Sequence, residues 1–185
     1  MSRYRFVTDT NRCIACKACE AICKATHDIA PGIWLGRLVT DGPRFADASV
    51  EATPIRTAHP AAGFGNTAPQ TVAVSPSAVV LHTRFRACLQ CAQPKCVEAC
   101  PTGALTKRPE DGIVFVTAAL CTGCGACQKA CPHALLWTDP RSGKTVKCDQ
   151  CKTRLDAGLK PACVTVCPTK ALQLVEKPGR EGEPF

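Results

Sequence analysis

Sixteen cysteines gathered into four groups constrain this chain more than any other feature of its sequence. Two groups share the spacing C-x2-C-x2-C-x3-C, one widens the middle gap to four residues, and one stretches it to eleven. The groups are Cys13, Cys16, Cys19 and Cys23; Cys88, Cys91, Cys96 and Cys100; Cys121, Cys124, Cys127 and Cys131; and Cys148, Cys151, Cys163 and Cys167. One pattern, varied only in its middle gap and used four times, indicates four copies of one small unit.

The residues after the cysteine groups also repeat. Three groups end in a Cys-Pro pair, at Cys100, Cys131 and Cys167, and each pair leads into a short apolar stretch. We therefore expect each unit to consist of a loop, a short helix that holds the fourth Cys, a turn and a short strand.

Two stretches between the cysteines have clear local signals. The segment 104–116 reads as two strands joined at Glu110, Asp111 and Gly112, with glycine at the tight position of the hairpin. After Cys151, a helical segment should stop at Gly158, since Pro161 prevents its continuation.

Residues 31–82 contain no cysteine and interrupt the repeats. Strand-like pieces at 34–39 and 77–85 flank a loop rich in Gly, Pro and Ala at 59–69. Two interpretations stay open: a surface hairpin with a mobile loop, or a docking surface for another subunit.

The cysteine spacing points to iron-sulfur chemistry. A C-x2-C-x2-C loop wraps three thiolates around one face of an iron-sulfur cube, and in the run C-x2-C-x2-C-x3-C-P the fourth Cys ligates the other cluster of a two-cluster unit. Small residues such as Gly123 and Gly125 let the chain turn tightly around such a core. Zinc sites instead use two separated C-x2-C pairs, which fits this pattern less well.

The formal charge of +8 does not indicate a nucleic-acid-binding protein. Sixteen thiolates holding four cores of about +2 each bring the sum to about zero. The Lys and Arg residues then compensate for buried negative clusters, and no set of base-stacking aromatics accompanies them.

Targeting and catalytic signals are missing from the sequence. We find no signal peptide or twin-arginine pair, which favours the reducing cytoplasm, although co-export with a signal-bearing partner would also fit. No apolar run approaches the ~20 residues of a membrane span, so we expect no direct membrane insertion. No acid-base pair or nucleophile constellation stands out, and "SGKT" at 142–145 lacks the first glycine of a phosphate loop. We therefore expect a chain that moves electrons and is not itself catalytic.

With these motifs, the chain resembles the ferredoxin-type electron-transfer (beta) subunits, with four [4Fe-4S] clusters, of the dimethyl-sulfoxide-reductase class of complexes. The resemblance covers residues 5–30 and 83–175, including "KRPEDGIV" at 107–114 and the pattern of Arg154, Gly158 and Pro161 in the fourth repeat. Short soluble forms of such subunits serve formate dehydrogenases, formate hydrogenlyase, carbon monoxide dehydrogenase and tungsten aldehyde oxidoreductase.

The resemblance implies an α+β fold of two pseudo-symmetric modules, each like a bacterial ferredoxin with two [4Fe-4S] clusters, around a cluster-dominated core. Repeats one and four would form an outer module, 1–30 plus 146–185, and repeats two and three an inner module, 83–145. Residues 31–82 would be an inserted β-hairpin and loop, for which we favour the docking of another subunit. Four ligand sets follow from this nesting: Cys13, Cys16, Cys19 and Cys167; Cys148, Cys151, Cys163 and Cys23; Cys88, Cys91, Cys96 and Cys131; and Cys121, Cys124, Cys127 and Cys100.

The same resemblance implies a function. Electrons would pass between a catalytic molybdenum- or tungsten-pterin subunit, with formate or aldehyde oxidation favoured, and a second redox subunit that is flavin-, hydrogenase- or quinone-linked. Clusters near both ends would also allow end-to-end stacking of subunits. The alternatives are a free polyferredoxin, the iron-sulfur subunit of a hydrogenase or carbon monoxide dehydrogenase, and, more remotely, a zinc-binding adaptor.

Three positions depart from the family pattern. Cys23 is followed by Lys24 in place of proline, and Ala15 stands where many relatives have glycine. If Cys23 were not a ligand, its cluster would keep three thiolates and hold [3Fe-4S]. His133 replaces a frequent aromatic; it either donates to a cluster sulfur, or it serves packing or lies exposed to solvent.

Overall fold

The computed structural model describes residues 3–45 and 79–176. Its helices are α1 (Ala18–Thr26), α2 (Lys95–Glu98), α3 (Ala126–Ala130), α4 (Lys152–Asp156) and α5 (Ala162–Thr165). Its strands are β1 (Tyr4–Thr8), β2 (Gly36–Phe45), β3 (Val79–Ala87), β4 (Leu105–Lys107), β5 (Val114–Val116), β6 (Leu136–Thr138), β7 (Thr145–Lys147) and β8 (Leu172–Glu176). Helices and strands are both short, and they alternate with loops that carry most of the cysteines.

The chain divides into two compact units. The first comprises residues 1–39 and 83–185 and contains all four cysteine groups. The second comprises residues 40–82, of which 40–45 and 79–82 are described as the ends of two strands. The predicted strands at 34–39 and 77–85 correspond to β2 and β3, which are hydrogen-bonded neighbours. The loop predicted at 59–69 lies outside the described residues, and the division into outer and inner modules stays a prediction.

Two antiparallel hairpins come after the second and third cysteine groups. β4 pairs with β5, with Leu105 opposite Val116, and Gly112 in the connection has φ of 69°. This confirms the hairpin predicted from the glycine at its tight position. β6 pairs with β7 in the same manner, and Asp139 N–H donates to the Lys144 carbonyl at 2.8 Å to close the turn.

The first and last described strands also pair, which joins the two ends of the chain. β1 runs antiparallel to β8, with Tyr4 opposite Glu176 and Thr8 opposite Leu172. Arg3 forms an ion pair with Glu176 at 3.1 Å beside this ladder. The first cysteine group follows β1, and the fourth cysteine group precedes β8. The pairing of these strands therefore places the first group near the end of the fourth.

The position of the fourth Cys differs from the prediction. In every repeat the third Cys lies on a helix, whereas the fourth Cys lies on a helix in the first repeat alone. Cys131 has φ of −83° and ψ of 111°, an extended conformation that a residue before proline prefers. Cys23 precedes Lys24 and not proline, so α1 continues for nine residues, to Thr26. The prediction of a helix holding the fourth Cys is therefore wrong for three repeats, and the proline after that Cys explains why.

The packed interior is made partly of cysteine. Leu105, Val114 and Leu136 form one cluster of buried side chains with Cys127. The two other clusters of buried side chains also contain cysteines. Thiols thus occupy core positions, as expected for a core built around metal clusters. None of the helices within residues 3–45 and 79–176 combines the length and apolar character that crossing a membrane requires.

Candidate metal centres

All four cysteine groups have the same turn before their second Cys. At that position φ is 54° at Ala15, 52° at Gln90, 74° at Gly123 and 58° at Gln150. A left-handed conformation costs roughly 1–2 kcal/mol for a residue other than glycine. Three non-glycine residues nevertheless adopt it, and such strain persists where the surroundings require a particular backbone path. The first loop therefore keeps the shared conformation although Ala15 stands in place of glycine.

The four predicted ligand sets are called sites 1 to 4 below. Site 1 is Cys13, Cys16, Cys19 and Cys167; site 2 is Cys148, Cys151, Cys163 and Cys23; site 3 is Cys88, Cys91, Cys96 and Cys131; site 4 is Cys121, Cys124, Cys127 and Cys100.

The members of site 1 surround one cavity, which Cys13, Cys16, Cys19 and Cys167 all line. Burial raises the pKa of Cys19 to about 11, whereas Cys16 is exposed to solvent. Leu172 N–H donates to Cys167 Sγ at 3.4 Å. Burial opposes ionisation of Cys167, but hydrogen bonds of this kind outweigh it and lower the pKa of this thiol. Three thiols of the first group thus face the fourth Cys of the last group.

Site 2 is the most enclosed of the four. Its members are all buried. Burial raises the pKa of Cys23 to about 12 and raises the pKa values of Cys148, Cys151 and Cys163 as well. The charge of Cys151 further raises the pKa values of Cys23 and Cys163, and that of Cys23 raises the pKa of Cys148. These thiols lie close enough to oppose one another's ionisation, so the structure brings Cys23 to the thiols of the fourth group.

Site 3 is arranged around Cys96. Burial is the largest influence on this thiol and raises its pKa to about 11. The charges of Cys88, Cys131 and Cys91 each raise the pKa of Cys96 further. The structure therefore brings the fourth Cys of the third group to three cysteines of the second.

Site 4 is more open and is rich in hydrogen-bond donors. Cys127 is buried, and Cys100 packs against the same hydrophobic cluster. Thr145 N–H donates to Cys121 Sγ at 3.4 Å. Burial opposes ionisation of Cys121, but backbone hydrogen bonds from Thr145 and Gly123 lower its pKa, while the charge of Cys100 raises it. Cys121 and Cys100 thus lie near each other although they come from different groups.

Neighbouring sites also contact one another. Cys19 of site 1 packs with Cys163 of site 2 in one cluster of buried side chains. Cys131 of site 3 packs against another cluster, which contains Cys127 of site 4. Each of these contacts joins two sites that draw ligands from the same pair of repeats.

A third contact joins the two pairs of sites. The charge of Cys88, in site 3, raises the pKa of Cys148, in site 2. Cys88 also packs against the cluster of buried side chains that contains Cys148 and Cys23. Contacts between cysteines therefore link site 1 with site 2, site 2 with site 3, and site 3 with site 4.

The donor chemistry of each set fits an iron-sulfur cube, which takes one thiolate at each of four irons. Main-chain N–H groups point at sulfur atoms in sites 1 and 4, and in site 2 Gln150 N–H donates to Cys148 Sγ at 3.4 Å. Such donors stabilise negative charge on sulfur. Among the described residues, no three His, Cys, Asp or Glu side chains form a group suited to a single metal ion.

The structure adds two side chains that the sequence pattern did not predict as part of a metal centre. His27 Nε2 lies 3.3 Å from Cys151 Sγ, the contact of a ring nitrogen with a site 2 thiol. Lys147 is buried directly before Cys148. Neither residue lies at a motif spacing from which its role could have been predicted. His27, for example, is 124 residues away from Cys151 in the sequence. His133, predicted either to contact a cluster sulfur or to serve packing or lie exposed to solvent, is exposed.

Comparison with known families agrees with the geometry. A family described as "4Fe-4S dicluster domain" matches residues 79–177, and a second family with the same description matches residues 12–104. Together these ranges include all sixteen cysteines. Two dicluster domains amount to four [4Fe-4S] clusters, for which sixteen thiols are the expected number of ligands. The chain therefore binds four [4Fe-4S] clusters.

Curated relatives match almost the whole chain. The thiosulfate reductase electron transfer subunit of Salmonella typhi is 37% identical over 93% of this chain and 75% of its own length. The B chain of the anaerobic dimethyl sulfoxide reductase of Haemophilus influenzae is 34% identical over 93% of this chain and 73% of its own length. The B chain of the polysulfide reductase of Wolinella succinogenes is 33% identical over 92% of this chain and 74% of its own length.

Proposed function

This chain belongs to the family of iron-sulfur electron-transfer subunits that includes these thiosulfate, dimethyl sulfoxide and polysulfide reductase relatives, and from that premise we propose that it relays electrons through four clusters. One end of the relay receives or delivers electrons at a catalytic subunit with a molybdenum or tungsten pterin. The other end serves a second redox partner. The chain itself transforms no substrate.

The observation that carries this proposal is the continuous series of contacts between the four sites. Cys19 packs with Cys163 where site 1 meets site 2, and the charge of Cys88 acts on Cys148 where site 3 meets site 2. Electrons hop efficiently only between closely spaced centres, so a series without a gap suits transfer along the whole chain. A protein that only stored iron would not need each cluster site to contact the next.

We assign the sixteen cysteines as ligands in the sets called sites 1 to 4, with the fourth Cys of each group crossing to a neighbouring site. Two contacts support the crossing in particular. The charge of Cys131 acts on Cys96, and the charge of Cys151 acts on Cys23. Each crossed ligand ties together segments that are far apart in the sequence, so cluster binding and folding are coupled.

A bound [4Fe-4S] cluster supplies one-electron oxidation and reduction, and the residues of this chain set the conditions for it. The main-chain N–H groups of Leu172 and Thr145 donate to Cys167 and Cys121 and stabilise negative charge at sites 1 and 4. The buried thiols of site 2 are shielded from water, which keeps charge there less screened.

Partners have access at the two ends of the series. Cys16 in site 1 and Cys124 in site 4 are the exposed thiols among the sixteen. Exposed apolar side chains come shortly before them in the sequence: Ile14, two residues before Cys16, is 65% exposed, and Leu120, four residues before Cys124, is 53% exposed. We propose that the catalytic subunit docks at one of these ends and the second redox subunit at the other.

The identity of the catalytic partner can be inferred from the relatives only as a class. A further relative, the B subunit of the sulfite dehydrogenase of Allochromatium vinosum, is 34% identical over 92% of this chain and 68% of its own length. The names of these relatives favour an enzyme acting on a sulfur compound. The formate or aldehyde enzyme inferred from the sequence resemblance stays a prediction. Stoichiometric molybdenum and turnover of sulfur compounds would favour the first partner, whereas tungsten or formate turnover would favour the second.

The relay is tested by interrupting it in the middle. In the complex isolated anaerobically, Cys96→Ser in site 3 should leave dye-linked turnover at the catalytic subunit intact, because small viologen dyes reach that subunit directly. Transfer to the natural second partner should be lost. Equal loss of both activities, with the catalytic subunit still bound, would give this chain a part in catalysis. Retention of both would remove site 3 from the path, and a tagged chain that isolates alone would favour the free polyferredoxin.

A further inference from the structure

Lys147 is a cation enclosed within the protein. It is the last residue of β7, directly precedes Cys148 and is 5% exposed. Its Nζ donates to the carbonyl oxygen of Val114 and, at 2.9 Å, to that of Cys148. Both acceptors are neutral, so the positive charge is solvated only by peptide dipoles.

The described residues 3–45 and 79–176 give this ammonium no carboxylate partner. Arg3, Arg108 and Arg141 form ion pairs in this part of the chain, and Lys147 forms none there. A buried cation without a counter-charge is strongly unfavourable. The burial of Lys147 therefore implies that a negative charge lies nearby which side-chain carboxylates of the described residues do not supply.

The position of the ammonium is fixed by a second buried residue. Gln90 is 0% exposed; its Nε2 donates to the Cys148 carbonyl at 2.8 Å, and its Oε1 accepts from Val114 N–H at 2.8 Å. Lys147 and Gln90 thus share the Cys148 carbonyl as an acceptor, and both contact the main chain of Val114, the lysine at its carbonyl and the glutamine at its N–H. The network holds the lysine inside the protein, where water screens its charge poorly.

This charge lies where sites 2 and 3 meet. Lys147 Nζ donates to the main-chain carbonyl of Cys148, a ligand of site 2, and the same carbonyl accepts from Gln90. Gln90 itself belongs to the loop of site 3, between Cys88 and Cys91. One cation therefore lies beside a ligand of site 2 and beside a residue of the site 3 loop.

We propose that Lys147 is the shared counter-charge of the two central clusters and raises the reduction potentials of both, an inference that rests on the ligand sets proposed above. Four thiolates around a core of about +2 carry about −2, and one electron adds a further negative charge. A fixed cation stabilises the reduced form more than the oxidised form, so the potential rises. The hydrogen-bond network of Lys147 and Gln90 reaches Cys148 of site 2 and the loop of site 3, so we expect these two clusters to respond most to its charge.

The test uses the complete chain in its complex, with redox titrations followed by electron paramagnetic resonance and with iron counted per chain. Lys147→Gln removes the charge but keeps a donor for the carbonyls, whereas Lys147→Met removes both. Lys147→Arg keeps the charge. Lys107→Met is the matched control, because Lys107 Nζ also donates to a carbonyl, that of Ala92 at 3.1 Å, but in an exposed setting.

We expect Lys147→Gln and Lys147→Met to lower two of the four midpoint potentials, with the other two unchanged. Lys147→Arg should stay close to the unmodified protein, and Lys107→Met should give a much smaller shift because water screens its charge. Unchanged potentials in Lys147→Gln with full iron, or equal shifts in all four, would overturn the proposal.

Failure to assemble is also decisive. If the two neutral variants lose iron while Lys147→Arg retains it, the charge is required for cluster binding, in agreement with the proposal. If Lys147→Arg loses iron as well, shape and not charge is the requirement, and the proposal fails. An unmodified chain with fewer than four [4Fe-4S] transitions would instead refute the function on which the inference rests.

Discussion

Gly123→Ala should damage site 4 specifically, and the structure gives the size of the effect. Gly123 has φ of 74°, which costs a residue with a side chain roughly 1–2 kcal/mol. A Cβ at this position would also overlap the carbonyl oxygen of Gly143. That oxygen belongs to the backbone of the turn between β6 and β7, where Gly143 N–H donates to the Asp139 carbonyl at 2.8 Å. Relieving the overlap must therefore shift the turn, at about 1–3 kcal/mol.

Gly125→Ala is the matched control in the same loop. Its φ is also 74°, but its Cβ would meet only the end of the Gln128 side chain at 3.7 Å. The two variants share the conformational cost, so the difference between them, about 1–3 kcal/mol, isolates the Gly143 contact.

The assay is anaerobic denaturant titration followed by cluster absorbance, together with iron analysis. Gly125→Ala should keep about sixteen irons per chain and unfold at somewhat lower denaturant. Gly123→Ala should unfold at lower denaturant still and tend to lose the irons of one cluster, about four. Identical midpoints and iron contents for the two variants would refute the packing of the site 4 loop against this turn.

Three further predictions concern sites 1 and 2. His27→Leu should lower the midpoint potential of one cluster, because a ring N–H near Cys151 Sγ stabilises the reduced form; a redox titration that shows four unchanged potentials would contradict this. Cys23→Ser should convert site 2 to [3Fe-4S] or empty it, visible as a changed paramagnetic signal in the oxidised protein; four intact [4Fe-4S] signals would exclude Cys23 as a ligand. Burial raises the pKa of Cys23 to about 12 and that of Cys19 to about 11, so at neutral pH these thiols hold protons that cluster binding must remove. Reconstitution should therefore be more complete at about pH 9 than at about pH 7, and a yield that is constant or falls with rising pH would contradict the reasoning.

Local signals in the sequence predict local structure well in this chain. The glycine at 112 predicted the β4–β5 hairpin because a tight turn with positive φ favours glycine. The end of α4 was predicted by Gly158, which has φ of 72°, but Pro161 does more than block that helix: it caps α5, which begins at Ala162. The prediction for the fourth Cys failed because it neglected how proline restrains the residue before it.

The spacing of motifs along the sequence did not predict which distant segments contact one another in the fold. Nothing in the pattern of residues 4–8 indicates pairing with 172–176, since short strands of this kind suit many partners. The contact of His27 with Cys151 depends on where α1 ends relative to the loop of the fourth group. From the sequence we predicted that the Lys and Arg residues as a group compensate the charge of the clusters. The structure identifies one of them, Lys147, as buried.

Metal content of the complex, isolated anaerobically from its native host, tests the central claim most directly. Iron, zinc, molybdenum and tungsten would be counted per copy of this chain. We predict about sixteen irons from this chain, besides any that a partner contributes, and stoichiometric molybdenum or tungsten from the catalytic subunit. Zinc in place of iron would contradict the four-cluster relay, and full iron with neither heavy metal would contradict the pterin partner.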